Sequence, residues 1–327
     1  MIHYDPRWSG PHGIGRFADE VIARLPDARP LSFQVRRLTP LDPVATALAA
    51  LRLRDGVYFT PGFNPPPRSH VPVVFCIHDL IHLRFPAEST PVRRAYYRLV
   101  VAPAAQRAAR ILTVSEFSRR EILEWTGLPE ERVVVVGNGI SAAFTPDGPR
   151  HEPGYPYFLY VGRRAPHKNL PGLIAAFAAA RTDARLIFTG LPDGATTDIA
   201  RHWGVVERVI FAGELDDAQL AAYYRGAIAL AMPSFYEGFG LPIVEAMACG
   251  TPVLASNVTA MVETAGEGNA LLIDPLRADA IAEGLDRLAG DAALRAALRE
   301  HGLARASRCS WNRVGRGVAR AIAEARA

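Results

Sequence analysis

Lysine is almost missing from this chain: among 327 residues there is one, Lys168, against 36 arginines. On a solvated surface the two cations replace each other freely. At a tight site they do not, because lysine is a compact point charge and arginine a broad planar fork. A composition this skewed is expected to keep lysine mainly where the fork does not fit, which marks "RRAPHKN" (163–169) as a candidate binding segment, the alternative being chance survival of one lysine. Cysteine is also sparse. Cys76, Cys249 and Cys309 are an odd number, far apart and without C-x-x-C spacing. That excludes a disulfide framework or a zinc ribbon and suits reduced core residues of a cytoplasmic protein. No apolar run approaches the ~18 residues of a membrane-spanning helix. The amino end, "MIHYDPRWSG", lacks the basic-then-apolar order of a signal peptide.

What is present fits a folded enzyme-sized chain. Hydrophobic residues make up 49% and charged residues 21%, enough apolar material for about two domains of ~150 residues. The net charge of +4 is uneven: residues 1–150 hold 19 basic and 14 acidic residues, and residues 151–327 hold 18 and 19. Such a bias attracts an anionic ligand or surface. It equally fits an arginine-rich, alanine-rich composition with no functional meaning.

Strand and helix patterns alternate along the chain. In the second half the strands are 157–162, 184–190, 208–213, 228–234, 252–257 and 270–274, with helices over 169–181, 216–227 and 241–250. In the first half the strands are 2–4, 56–60, 71–79, 110–115 and 132–139, with helices over 14–25, 42–53, 91–109 and 117–126. The Pro/Gly/His-rich stretch 144–156 reads as a linker, and 312–326 as a final helix. Short apolar strands alternating with helices predict parallel sheets covered on both faces. The expected architecture is therefore α/β, two doubly wound domains facing across a cleft, with ligands beyond the carboxyl ends of the strands.

One segment carries most of the chemistry. In "PSFYEGFGLPIVEAMACG" (233–250) a strand ends at Ser234, a glycine-bearing loop follows, and a helix opens near Leu241. Gly238 and Gly240 let backbone approach a ligand, and the helix amino end offers unpaired amides and partial positive charge, a site suited to phosphate. Glu237 and Glu245 flank it, eight positions apart. Carboxylates beside a phosphate site are awkward unless they accept hydrogen bonds from sugar hydroxyls. The sequence shows no Asp-x-Asp at a strand end and no His/Cys cluster with metal spacing. Asp216 and Asp217 read as a helix cap and first turn.

"EGFGLPIVEAMACGTPV" closely resembles the retaining glycosyltransferases of family 4, which have the GT-B fold of two Rossmann-like domains. "GIGRF" (13–17), "IHDLIHLRFP" (77–86), "VSEFSRREI" (114–122), "VVVVGNGI" (133–140), "YVGRRAPHKNL" (160–170) and "SRCSW" (307–311) resemble further family segments in the expected order, so the resemblance spans nearly the whole chain. Several of these are similar to bacterial mannosyltransferase-like members. The resemblance implies an acceptor domain over 1–148, a donor domain over 149–311 and a helix, 312–327, crossing back to the first domain. It implies that Lys168 and Arg163 (or Arg164) hold the donor diphosphate, and that Glu237 contacts the transferred sugar near the amides of Gly238, Phe239 and Gly240. Glu245 would hold the ribose, with Ser234 and Leu241 at the same loop. Gly190 and Phe211 would lie at the base, Gly13 and Gly15 in a loop closing on the phosphates, and His78 beside sugar and acceptor. His78 also reads as a core histidine, and His82 more so.

The implied activity is metal-independent, cofactor-free hexosyl transfer with retention, for instance of mannose from GDP-mannose, onto a glycan or lipid-linked glycan in polysaccharide biosynthesis. Fixed cations and amides stabilise the leaving group without a metal, and Glu237 and Glu245 do not form a glycosidase carboxylate pair. No nucleic acid partner is expected. The stretch 90–111 holds Arg93, Arg94, Arg98, Arg107 and Arg110 with Tyr96 and Tyr97 and no acid. It reads either as a helix lying on an anionic leaflet or as a helix packed on the sheet with a solvated arginine face. Competing functions are an epimerase or phosphorylase of the same fold, and a non-catalytic nucleotide-sugar-binding protein. A dehydrogenase is disfavoured because "GPHGIG" (10–15) lacks the G-x-G-x-x-G order.

Overall fold

Apolar runs bounded by glycine or polar turns form the strands, and the segments of longer period between them form the helices. The computed structural model describes Met1–Arg326. These residues divide into two units, Met1–Gly139 together with Ser310 onward, and Ile140–Cys309.

Unit 1 holds β1 (Ile2–Tyr4), β2 (Ala28–Pro30), β3 (Val57–Thr60), β4 (Val73–Cys76), β5 (Arg110–Thr113) and β6 (Val133–Val135). They form one parallel sheet in the order β2-β1-β3-β4-β5-β6. Its helices are α1 (Gly13–Ile22), α2 (Asp42–Leu51), the single turn α3 (Ile81–Arg84), α4 (Pro91–Tyr96), α5 (Ala102–Arg107) and α6 (Glu116–Thr126). β3 and β4 are buried throughout because helices cover both faces. The helix expected over 91–109 is continuous but not regular: Tyr97–Val101 forms a wide turn in which the Ala102 amide reaches back to the Tyr97 carbonyl. Pro103 supplies the cause. It has no N–H for the carbonyl four residues earlier, and widening the turn ahead of it lets the helix continue.

Unit 2 holds β7 (Tyr157–Tyr160), β8 (Arg185–Phe188), β9 (Val209–Phe211), β10 (Ala229–Met232), β11 (Val253–Ser256) and β12 (Leu271–Ile273). The strands are again all parallel, in the order β12-β11-β10-β7-β8-β9. Helices α7 (Leu170–Ala179), α8 (Gly194–His202), α9 (Asp217–Gly226), α10 (Leu241–Ala248), α11 (Ala260–Ala265), α12 (Ala278–Gly290) and α13 (Ala292–Ala306) accompany them. Asp216 caps α9 in a reciprocal box with Gln219, the role expected for it. The sequence reading passed over α8, α11, α12 and α13. The last helix, α14 (Trp311–Glu324), packs against α1 of unit 1. No helix among the described residues is long and apolar enough to cross a membrane.

The units divide at Gly139–Ile140, nine residues before the expected 148–149 boundary. The stretch 144–156 is not a free linker. Phe144 is buried in the core of unit 2. Arg225 of α9 donates to the carbonyls of Thr145 and Pro149, and the His151 ring stacks on Tyr223 at 3.8 Å.

Gly15 shows how tightly the start of unit 1 is folded. His12 caps α1 by accepting from the Gly15 amide, which brings the preceding loop back over the helix. A Cβ on Gly15 would lie 2.1 Å from the Gly10 carbonyl oxygen. Gly15→Ala is expected to destabilise unit 1 by about 2–3 kcal/mol through this overpacking against backbone; chemical denaturation measures it.

Candidate active site

In an open parallel sheet a ligand crevice forms where two adjacent strands send their connections in opposite directions. In unit 2 that place lies between β7 and β10, which are neighbours although β8 and β9 separate them in sequence. The two loops leaving their carboxyl ends are 161–169 and 233–240, the two segments the sequence singles out.

The loops are tied together. The Phe235 amide donates to the His167 carbonyl at 2.7 Å. Pro166–Lys168 forms a tight turn that ends at Asn169, whose φ of 56° lies in the left-handed region. The Asn169 amide side chain donates to the Pro275 carbonyl, which holds that conformation. Lys168 leaves this turn and its Nζ donates to Glu237 Oε1 at 2.6 Å. Both side chains are largely covered, at 11% and 12% exposure. Nζ lies only 3.6 Å from the place a Cβ on Gly162 would occupy. Gly240 precedes α10 with a φ of 92° that favours glycine, so the backbone turns sharply into the helix amino end at Leu241. Ser234 is fully buried, and its hydroxyl has no hydrogen-bond partner.

Glu245 is not a surface glutamate. It is 6% exposed and accepts from the Tyr224 hydroxyl at 3.1 Å. Arg163 is exposed, while Arg164 turns to the ends of β8 and β9. There Arg164 donates to the Thr189 carbonyl and pairs with Asp193 at 2.9 Å, a charge contact rather than an aligned hydrogen bond. Its guanidinium also covers the Phe211 ring at 5.0 Å. Gly190 is alongside, its amide bonded to the Gly213 carbonyl. Gly190, Phe211 and Arg164 therefore form one cluster at the carboxyl ends of β8 and β9, and of the two arginines Arg163 is the more exposed. No group of three or more His, Cys, Asp or Glu side chains suited to a metal ion occurs among the described residues.

Residues 10–144 match the family profile described as glycosyltransferase family 4, and residues 144–305 match that of the glycosyl transferases group 1. The O-antigen chain mannosyltransferase B of Escherichia coli is 33% identical over 302 residues, covering 86% of this chain and 77% of the relative. The chain belongs to the family 4 glycosyltransferases. Its fold is GT-B. Sucrose-phosphate synthase from Thermosynechococcus elongatus superposes with a TM-score of 0.78 at 20% identity, covering 98% of this chain and 97% of that one. The Anabaena protein HepE, solved with UDP and glucose, superposes with a TM-score of 0.76 at 18% identity, covering 98% and 99%. Hexosyl transfer is the activity class that membership carries.

In the transferase's unit 1 the other expected residues have local explanations. Gly13 and Gly15 are in the first turn of α1, and the close approach of Gly10 accounts for Gly15. His78 follows β4, donates from Nε2 to the Pro61 carbonyl at 2.9 Å and meets Phe17 edge-on. Burial lowers its imidazole to about 4, against the opposing pull of that carbonyl, so His78 is neutral at physiological pH. It is half-buried, between the two readings given for it. His82 is half-buried too; it bonds the Glu88 carbonyl and meets the rings of Phe63 and Tyr97.

One site residue escaped the sequence reading. Thr259, after β11, has φ 57° and ψ −148°, a conformation strained for a β-branched residue. Its hydroxyl accepts from the Glu237 amide at 3.3 Å, and the next amide, of Ala260, donates to the Glu237 carbonyl. Glu237 is thus held from the loops of both neighbouring strands. Thr259→Val keeps the shape but removes the acceptor. It is expected to reduce turnover roughly 10- to 100-fold by misplacing Glu237, while Thr259→Ser restores it. Equal kcat for the Val and Thr enzymes would remove this role.

Proposed function

We propose that the enzyme transfers a hexose from a nucleoside diphosphate sugar to a glycan or lipid-linked glycan in polysaccharide assembly, with retention of configuration and without a bound metal or other cofactor. The observation that carries this reading is the meeting of Lys168 and Glu237 at the β7–β10 crevice, beside the amino end of α10. Lys168 has three N–H donors. One is on Glu237, and the other two serve the donor's phosphate oxygens together with the amides of Gly238, Phe239 and Gly240. Arg163, on the same loop, adds a second cation. Glu237 accepts from the sugar hydroxyls, Glu245 from the ribose, and the base lies against Gly190 and Phe211.

As the glycosidic bond breaks, its electron pair goes to the phosphate oxygen, where fixed positive charge stabilises it. The acceptor hydroxyl attacks the same face and passes its proton to that oxygen, so configuration is kept without a protein nucleophile. The mannosyltransferase relative supports mannose as the sugar, and the UDP-bound Anabaena structure supports a nucleotide donor. The three cysteines, far apart in the chain with Cys76 and Cys249 buried, suit a reducing, cytoplasmic site of action. Contact with the inner leaflet belongs to the same proposal.

Thermal unfolding with UDP, GDP, ADP and their sugars, with and without EDTA, tests the reading. A ligand at about 100 times its Kd stabilises the native state by about 2.7 kcal/mol. One nucleotide is expected to raise the melting temperature, equally in EDTA, and NMR of the product is expected to show the donor's anomeric configuration. No shift with any nucleotide overturns the donor site. A shift abolished by EDTA overturns metal independence, and an inverted product overturns retention.

A further inference from the structure

The one charged side chain on α10 is Glu245, and it lies on the covered part of the helix, with Ile243, Val244, Ala246 and Met247 all buried around it in sequence. A carboxylate so covered needs hydrogen bonds to offset its lost hydration. It also needs an orientation from outside. The last torsion of a glutamate has no steep well, so the chain up to Cδ can be fixed while the plane of the two oxygens is not.

Tyr224 of α9 meets that need. Ala221, Tyr224 and Arg225 form the buried face of α9, at i, i+3 and i+4. Tyr224 is fully buried, shares one apolar cluster with Phe144, Ile243, Ala246 and Met247, and meets the Phe144 ring edge-on at 5.8 Å. Phenylalanine would fill the same place, and a phenol hydroxyl in apolar surroundings is costly unless it is bonded. It donates to Glu245 Oε2 at 3.1 Å. The tyrosine is itself anchored. The Thr251 hydroxyl donates to the Tyr224 carbonyl at 2.6 Å, and the next residue, Arg225, donates to the carbonyls of Thr145 and Pro149. Its support is therefore independent of the carboxylate that it holds.

We infer that Tyr224 is a positioning residue for the donor's ribose: its hydroxyl sets the plane of the Glu245 carboxylate so that the 2′- and 3′-hydroxyls are accepted together. An ionised carboxylate offers about four acceptor sites, so one bond from a tyrosine leaves room for two sugar hydroxyls. Two vicinal hydroxyls match two carboxylate oxygens only in one orientation of the carboxylate plane, and Tyr224 supplies it. Tyr224 touches neither sugar nor phosphate and acts through Glu245 alone. The inference rests on the reading of Glu245 as the ribose carboxylate, and it adds the residue that makes that carboxylate selective.

Calorimetric titration with GDP, UDP and ADP, each beside its 2′,3′-dideoxy form, tests it on the wild type, Tyr224→Phe and Glu245→Ala. The wild type is expected to bind one ribonucleotide at least about 30-fold more tightly than its dideoxy form, the scale of two hydrogen bonds to a charged acceptor. Glu245→Ala is expected to lose that preference. Tyr224→Phe is expected to bind the ribonucleotide about tenfold more weakly but the dideoxy form within about twofold of wild type, so that the preference shrinks to a few-fold. Its KM for the nucleotide sugar is expected to rise in step while kcat stays within about threefold, because the ribose is remote from the bond that breaks. The preference is a ratio taken on one preparation, so it does not depend on how much of a variant is folded. Tyr224→Phe with the full wild-type preference overturns the inference and leaves Glu245 at the ribose. Equal losses on both forms also overturn it, since they mark a tyrosine that only supports the fold. A wild type that binds a nucleotide without preferring the ribose removes Glu245 from the ribose, and the inference falls with it while the donor site stands. Binding of no nucleotide at all refutes the donor reading and the inference together.

Discussion

Lys168→Ala is expected to lower kcat/KM for the nucleotide sugar by about 10²–10³, the scale seen when one preorganised electrostatic donor is removed from a developing anion. The loss has two sources. On the proposed donor reading a cation is taken from the phosphates, and Glu237, bonded to Nζ at 2.6 Å, becomes an unpaired carboxylate beside them. At an effective dielectric of about 20, like charges about 4 Å apart repel by about 4 kcal/mol. Donor affinity and turnover therefore fall together. Lys168→Arg is the sharper test. Nζ is 3.6 Å from the Cβ position of Gly162 and the side chain is 11% exposed, so little room is left for a planar fork. A loss of about tenfold or more is expected, because the guanidinium cannot take the position of the ammonium between Glu237 and two phosphate oxygens. Steady-state kinetics over donor concentration separates the two variants. Wild-type kinetics for Lys168→Arg would mean that the chain's one lysine is an accident of composition.

The crevice was legible because its chemistry is local. Glu237, the two glycines and Glu245 occupy one strand-loop-helix segment, and the scarcity of lysine drew attention to the second loop. That the two loops meet follows from strand order, which alternating strands and helices imply but do not prove. Thr259 was not legible: its role rests on a φ of 57° and a bond to Glu237, both set by tertiary structure. The stretch 144–156 was misread for the same reason. Proline and glycine suggested a linker, while the side chain that fastens it, Arg225, is more than 70 residues away. Helices α12 and α13 were passed over although α12 shows its period, with Ile281, Leu285 and Leu288 on the buried face. No strand follows them, so the strand-helix alternation does not point there. The wide turn at Tyr97–Val101 was half-legible, since Pro103 announces a break in the hydrogen-bond ladder without saying how the helix absorbs it.

The pairing of Lys168 with Glu237 admits a purely architectural role, a clasp between two loops, and a double variant distinguishes that from chemistry. Lys168→Met and Glu237→Gln each strand a largely buried charge and are expected to cost about 2–3 kcal/mol, just under the range for fully buried pairs because roughly a tenth of each side chain is still wetted. For a unit of this size that is a fall of about 5–10 °C in melting temperature. The double variant replaces both charges with neutral side chains of similar volume and leaves neither stranded, so most of the stability is expected to return. Turnover is expected to stay about 10² or more below wild type in all three proteins, because no cation then meets the phosphates and no carboxylate meets the sugar. Stability and activity thus separate: the first is strongly non-additive and recovers, and the second does not. If the double variant instead regained turnover along with its melting temperature, the pair would be scaffold alone, and the donor would have to be gripped by Arg163 and the α10 amides without Lys168.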